Sequence, residues 1–181
     1  MFVIEEIDFI EELKNPKTQE KAYRELMSLY KERLYWHVRK IVILHDDADD
    51  VLQNTFIKIF NNIGQFKGDS KLYSWMYRIA TNESLTHLKK KSKQFNIDSE
   101  TLQNQMVAKL EADVYFDGDE IQLKLQKALA TLPQKQQLVF NMRYFDNLKY
   151  DDISEILETS VGALKASYHH ARKKIETYLT K

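Results

Sequence analysis

The chain has 181 residues, enough for one domain or two small ones, and its 27 basic and 27 acidic side chains cancel to a formal net charge of zero. Four glycines, two prolines and 43% hydrophobic residues point to an all-α protein with real cores, and the absence of cysteine excludes a disulfide framework and a thiolate metal site. No signal-peptide pattern opens the sequence and no apolar run approaches the ~20 residues that span a bilayer, so a cytoplasmic protein is expected.

Met1 to Lys14 mixes apolar Ile4, Ile7, Phe9, Ile10 and Leu13 with acids, and Asn15-Pro16 has the form of a cap followed by a first-turn proline. A long helix should then run to about Ile43, with Ala22, Leu26, Leu29, Leu34, Val38 and Ile41 as its buried stripe. Asp46 to Asp50 holds four aspartates in five residues, too close together to point one way as metal ligands. In the first turn of a helix such acids face the positive end of its dipole, at ~0.3–1 kcal/mol each. A third helix starting near Ala48 would bury Leu52, Phe56, Ile59 and Ile63 and leave Asp50, Gln53, Asn54 and Ile57 on another face.

Gly64 to Ser70 is a polar loop, and Asp69 or Ser70 caps a fourth helix over about Lys71 to Lys91. Leu72, Trp75, Met76, Ile79 and Ala80 can face inward, while Tyr73 and Tyr77 share a neighbouring face close to Arg78. Exposed rings beside cations suit stacking on single-stranded bases; amphipathic tyrosines at the edge of a core are the alternative. Gln94 to Glu120 is polar, acidic (Asp98, Glu100, Glu111, Asp113, Asp117, Asp119, Glu120) and poorly periodic, a linker with a short helix near Thr101 to Leu110. The chain therefore divides into helical domains over 1–93 and 121–181 joined by 94–120. Periodicity resumes at Ile121 with Leu125, Ala128, Leu129 and Leu132; Pro133 opens another helix through about Phe145, and Asp146-Asn147 makes a turn.

Leu148 to Lys181 reads as a helix-turn-helix. Ile153, Ile156 and Leu157 give its first helix an apolar face, and Ser160 is a hydroxyl cap for the second. From Val161 the apolar positions Leu164, Tyr168, Ala171, Ile175 and Leu179 recur at helical spacing, with Lys165, Arg172, Lys173 and Lys174 mostly on other faces. Small residues at the leading end (Gly162, Ala163, Ala166, Ser167) allow close approach to base edges, and His169, His170 and the basic side chains suit bases and phosphates. Zero net charge is unusual for a protein that binds DNA by itself, because phosphate neutralisation supplies most non-specific affinity. Either the charges are segregated or something else carries the protein to DNA.

Taken together, Asp47-Ala48-Asp49-Asp50-Val51-Leu52-Gln53-Asn54-Thr55-Phe56-Ile57-Lys58, Phe66-Lys67-Gly68-Asp69-Ser70, Trp75-Met76-Tyr77-Arg78-Ile79-Ala80-Thr81-Asn82, Leu132-Pro133 and Ser160 to Arg172 resemble the extracytoplasmic-function (ECF) group of the sigma-70 family, small two-domain initiation subunits of bacterial RNA polymerase. The resemblance covers nearly the whole chain in order. It implies that Asp50, Gln53 and Asn54 dock on the clamp coiled coil of core RNA polymerase, and that the loop with Phe66, Lys67, Asp69 and Ser70 holds a flipped base of the −10 element. By the same resemblance Tyr73, Tyr77, Arg78 and Asn82 lie on the strand-opening helix, and Lys165, Ala166, His169 and Arg172, with Lys173, on the −35-reading helix. Core RNA polymerase, promoter DNA and an anti-sigma factor are the implied partners, with no cofactor and no membrane insertion. Two positions depart from the pattern: Lys149 stands near a usual hydroxyl cap, and Glu158 where a turn glycine is common, which implies a frayed start and a turn that is either strained or differently built.

The residues support this reading independently. Trapping an unstacked base costs roughly a few kcal/mol, which a loop pocket beside aromatic side chains can meet. There is no phosphate-binding glycine loop and no nucleophile–base pair, so the chain is not expected to be an enzyme. The competing readings are a stand-alone helix-turn-helix regulator, which would bind DNA tightly without polymerase, and a structural helical adaptor, which would leave the aromatic and basic helices unexplained.

Overall fold

In the computed structural model, which describes the backbone of residues 3–110 and 120–180 and the side chains of 6–110 and 120–180, every regular element is helical. α1 (Val3–Lys14) ends at an Asx turn in which Asn15 Oδ1 accepts from the Lys17 N–H at 3.0 Å. α2 (Gln19–Val42) therefore starts beyond Pro16 rather than on it, because Asn15 folds the turn before the helix instead of capping it. Ala22, Leu26, Leu34, Val38 and Ile41 are buried as the stripe requires, but Leu29 is 47% exposed. The stripe rotates toward Val38 as the helix advances, so Leu29 falls outside it and His37 takes a central place.

α3 (His45–Asn62) begins three residues before Ala48, which leaves Asp46 and Asp47 in the first turn and Asp49 and Asp50 beyond it. After a 3₁₀ turn (Ile63–Gln65) come α4 (Leu72–Phe95) and α5 (Ser99–Ala108), whose cap is Asp98 accepting from the Thr101 N–H at 2.8 Å. α5 is a packed element: Leu102, Met106 and Val107 are buried in a cluster with Ile43 and Ala130. The acids Glu111, Asp113, Asp117 and Asp119 lie outside the described residues. α6 (Glu120–Ala130) leads to α7 (Gln134–Phe140), which runs on into a π turn (Asn141–Phe145) closed by the Asp146 N–H on Asn141 O at 3.1 Å.

The last two helices are α8 (Tyr150–Leu157) and α9 (Val161–Leu179). Lys149 gives α8 no side-chain cap, and the Asp152 carboxylate instead accepts from the Lys149 N–H, half of a capping box. Glu158 between the helices sits at φ 50°, ψ 45°, the left-handed conformation in which a side chain is strained and glycine is not. Ser160 caps α9, its hydroxyl accepting from the Ala163 N–H.

Packing joins both ends of the chain. Leu26, Leu34, Val38, Phe56, Ile59 and Met76 from α2–α4 belong to one apolar cluster that continues into Val139, Met142, Leu148, Ile153, Ile156 and Leu164. A second group among α6, α7 and α9 buries Ala128, Leu129, Leu132, Phe140, Ala171 and Ile175. α8 is thus wedged between α4 and α9.

Ile153 is fully buried at that junction. Ile153→Ala should lower stability by about 2–5 kcal/mol, whereas Leu29→Ala should stay within about 0.5 kcal/mol. Urea unfolding of both variants checks this; equal losses would mean that the shared core does not hold α8.

Candidate nucleic-acid interface

The residues singled out by sequence fall on three surfaces. On α3, Asp50, Gln53 and Asn54 are exposed as one strip that runs into Ile57 and Phe60, 52% and 41% exposed. The opposite side of the helix is core. Asp47 is not part of the strip: its carboxylate reaches His87 at 3.1 Å and Lys91 on α4. Burial pushes the Asp47 carboxyl up, but hydrogen bonds from His87 and Lys91 outweigh it and hold the group below its ordinary value.

On α9, Lys165, Ala166, His169, Arg172 and Lys173 are all exposed, while Leu164, Ala171 and Ile175 face inward. The Lys165 ammonium lies 5.8 Å from the centre of the Tyr150 ring, and the Arg143 guanidinium lies 5.3 Å from the same centre. Arg172 donates to Glu176 one turn on, at 2.7 Å. These side chains are solvated in the folded chain.

The third surface, the loop before α4 and the helix itself, is covered. Lys67, Asp69 and Asn82 are exposed and Ser70 half-buried, and Gly68 sits at φ 80°, a left-handed conformation that favours a residue without a side chain. Phe66, expected at the DNA, is a core residue instead, 4% exposed and 5.2 Å from the Trp75 ring. Only tertiary packing against α1 and α4 could decide that, since an aromatic beside a glycine loop reads the same either way. The expectation of two exposed tyrosine rings is also corrected. Tyr77 is 2% exposed, with its ring 4.6 Å from that of His37, and Tyr73 is half-buried. Burial pushes both hydroxyls up to about 12, with Asp152 adding at Tyr73 and Asp146 at Tyr77.

What covers them is the C-terminal half. Lys71 Nζ lies 2.8 Å from Asp152 Oδ1, Arg78 Nη1 3.0 Å from Glu158 Oε1, and Arg78 Nη2 donates to the Glu155 carbonyl. Behind this rim, Asp146 is buried between His37 Nδ1, 2.9 Å from Oδ2, and the Lys40 ammonium. His37 is held at its other nitrogen by Thr81 Oγ1 at 2.9 Å. None of Lys71, His37 or Asp146 was picked out by motif. His37 had a signal, a polar residue inside an apolar stripe; Asp146 looked like an ordinary turn residue.

Two family models match the chain, Sigma-70 region 2 over residues 26–94 and Sigma-70 region 4 over 122–175. The ECF RNA polymerase sigma factor SigW of Bacillus subtilis is 28% identical over 171 residues, 90% of this chain and 91% of SigW. The RNA polymerase sigma-H factor of Pseudomonas aeruginosa is 27% identical over 175 residues, 88% of this chain and 86% of that one. Among solved structures, CnrH in complex with the cytosolic domain of CnrY superimposes with a TM-score of 0.71 at 19% identity, over 97% of both chains. The sigma factor RpoE in complex with the anti-sigma factor NepR from Bartonella quintana gives 0.68 at 20% identity, over 88% of this chain and 98% of RpoE. The chain belongs to the ECF group of the sigma-70 family. It is a promoter-directing sigma factor and not a stand-alone regulator, in a family of regulatory proteins rather than enzymes.

Acid should loosen the covered surface. At Asp146, burial raises the carboxyl, but the His37 hydrogen bond and the charges of His37 and Lys40 hold it below its ordinary 3.8; at Asp152, Lys71 and Tyr73 do the same against burial. Groups depressed in the folded state stabilise it fully above their ordinary value and lose that contribution as pH falls through the depressed one. Urea midpoints measured from about pH 5 down to about pH 2 should fall, and more gently in Asp146→Asn, with Asp47 accounting for part of the remaining slope. An unchanged slope in that variant would remove Asp146 from the account.

Proposed function

We propose that the chain binds core RNA polymerase through α3 and recognises a promoter at two places, with α9 reading the −35 element and the loop 64–70 with α4 holding unpaired non-template bases of the −10 element. The observation that carries this is the strip Asp50, Gln53, Asn54, Ile57 and Phe60, solvated polar and apolar side chains side by side on a helix whose other side is core. Exposed apolar groups rimmed by polar ones suit a protein partner. Zero net charge fits the same scheme: affinity for DNA comes with the polymerase, and this subunit contributes selection. It performs no bond chemistry of its own. No described helix is long and apolar enough to cross a membrane, and its place of work is the cytoplasm, with the polymerase. An anti-sigma factor is a further partner, as for RpoE with NepR.

Within this scheme Lys165, Ala166 and His169 read bases, and Arg172 and Lys173 hold phosphates. Lys67, Asp69, Ser70, Tyr73, Arg78 and Asn82 serve the −10 strand, Phe66 supports the loop from beneath, and Tyr77 becomes available to a base only when the C-terminal half moves away.

Run-off transcription with purified core polymerase tests the function: the chain should confer initiation at its promoter, and a lack of any promoter-specific transcript would reject it. Asp50→Ala, Gln53→Ala and Asn54→Ala together should abolish co-purification with core while leaving helical circular dichroism intact; unchanged binding would reject the docking surface. Lys165→Ala should change preference at one −35 position by about 1–3 kcal/mol, whereas Lys173→Ala should weaken all promoters alike and lower the salt dependence. Binding measured over a set of single-base variants separates the two, and the reverse pattern would mean that α9 enters the groove on another face.

A further inference from the structure

Neither family model reaches α1, which precedes the matched segment 26–94, yet α1 holds both ends of the loop before α4. At the near end the Lys14 ammonium donates to the Phe66 carbonyl, where the chain leaves its 3₁₀ turn, and lies 5.9 Å from the centre of the Phe66 ring. At the far end Glu6 Oε1 accepts from the Leu72 N–H, the first of α4, at 2.8 Å. Glu6 and Lys14 stand about two turns apart on one helix, roughly 12 Å at the usual rise, so a single rigid element spans the segment 66–72.

This arrangement changes what the loop side chains are free to do. The sequence offers Asp69 or Ser70 as the cap of α4, and the oxygen of a cap is committed to a backbone N–H. In the structure the cap position falls instead on Lys71, whose side chain makes no capping bond, and the first turn holds no acid; the carboxylate at this helix end is that of Glu6. Asp69 is exposed and Ser70 half-buried, and neither side chain is hydrogen-bonded among the described residues. Both border, with Glu6, Ile7, Ile10 and Gly68, an open groove of about 710 Å³.

We infer that α1 is the frame of the base-holding loop: Glu6 and Lys14 are positioning residues that fix its two ends and leave the Asp69 carboxylate and the Ser70 hydroxyl to select the base at one position of the −10 element. The inference rests on the reading of the loop 64–70 as the base-holding segment. Its physical basis is competition for one N–H. Without the Glu6 carboxylate, the Leu72 N–H at the positive end of α4 is open to Asp69, three residues before it, which is the spacing of an ordinary cap. The helix then starts a turn earlier, and the carboxylate that would meet a base edge is turned onto the backbone. Lys14 acts at the other end, where its bond to the Phe66 carbonyl fixes the point at which the loop begins.

Full-length variants assembled with core RNA polymerase test this on a promoter that the wild-type holoenzyme transcribes, its −10 element randomised and each template carrying a transcribed barcode. Preference is the ratio among bases at each position, which is readable even at a low residual rate. Glu6→Ala should lower that ratio about three- to tenfold, the contribution of one hydrogen bond, at the same position that Asp69→Ala affects. Lys14→Met should lower it there too. Glu6→Gln, whose amide oxygen still accepts from the Leu72 N–H, should keep most of the preference. Asp69→Ala added to Glu6→Ala should change nothing further, because the carboxylate has already left the base; independent sites would add.

Unchanged preference in Glu6→Ala and Lys14→Met would overturn the inference, and Asp69→Ala with Ser70→Ala then assigns the fault. If those two shift a base, the loop keeps its role and only the frame is wrong; if they do not, the base-holding reading fails with it. Equal loss at every base, down to no transcript at all, would make Glu6 and Lys14 supports of stability alone and overturn the inference as well. So would additive losses from Glu6→Ala and Asp69→Ala.

Discussion

A carboxylate removed from water must be met by donors or stay unpaired at a cost of several kcal/mol, and Asp146 is such a group, its side chain 5% exposed between His37 and Lys40. Its partners come from α2, about a hundred positions earlier in the chain, so burial of this one group ties the two ends together. The π turn puts it there. One extra residue in the turn lets the Asp146 N–H close on Asn141 O, and Asn141 in turn donates to the Lys40 carbonyl near the end of α2. Removing one member of the group would leave the others buried without compensation, which makes the contact specific as well as stabilising.

Around that anchor the interface is layered. Val139, Met142, Ile153, Ile156 and Leu164 extend the core of α2–α4 without a break, and charged pairs ring the outside, where solvent weakens them. An apolar centre with a polar rim is the layering of a protein–protein interface, here formed within one chain. Two basic groups at the start of α4, Lys71 and Arg78, are answered inside the molecule by Asp152 and Glu158.

The three candidate surfaces consequently differ in exposure. Those on α3 and α9 are solvated, because each lies on a helix face opposite its own core. The α4 surface faces the same way as the core that α8 completes, and so it is the one tied to the relative position of the halves. The polar and apolar strip of α3 is thus solvated in the same arrangement in which the α4 face is covered by α8.

Much of this was legible in the sequence. Helical periodicity located the long helices and Ser160 its cap, because those features depend on neighbours within a few residues, whereas the strained turn at Glu158 is expected only from the resemblance, in which glycine is common there. The faces of α3 and α9 were legible for the same reason: an apolar stripe determines by difference which side chains are solvated. Tertiary structure decided what no local pattern carries. Phe66 and Tyr77 are aromatic residues in positions where stacking on a base and packing in a core call for the same side chain, and only the arrival of Trp75, His37 and α8 selects packing in this state. Lys71, Asp146 and Asp152 sit in turns or first turns, where charge is unremarkable, and acquire meaning from partners at least eighty residues away. Periodicity reports which face of a helix is apolar; which other element meets that face is determined by long-range packing and by where buried charge can find its counterpart.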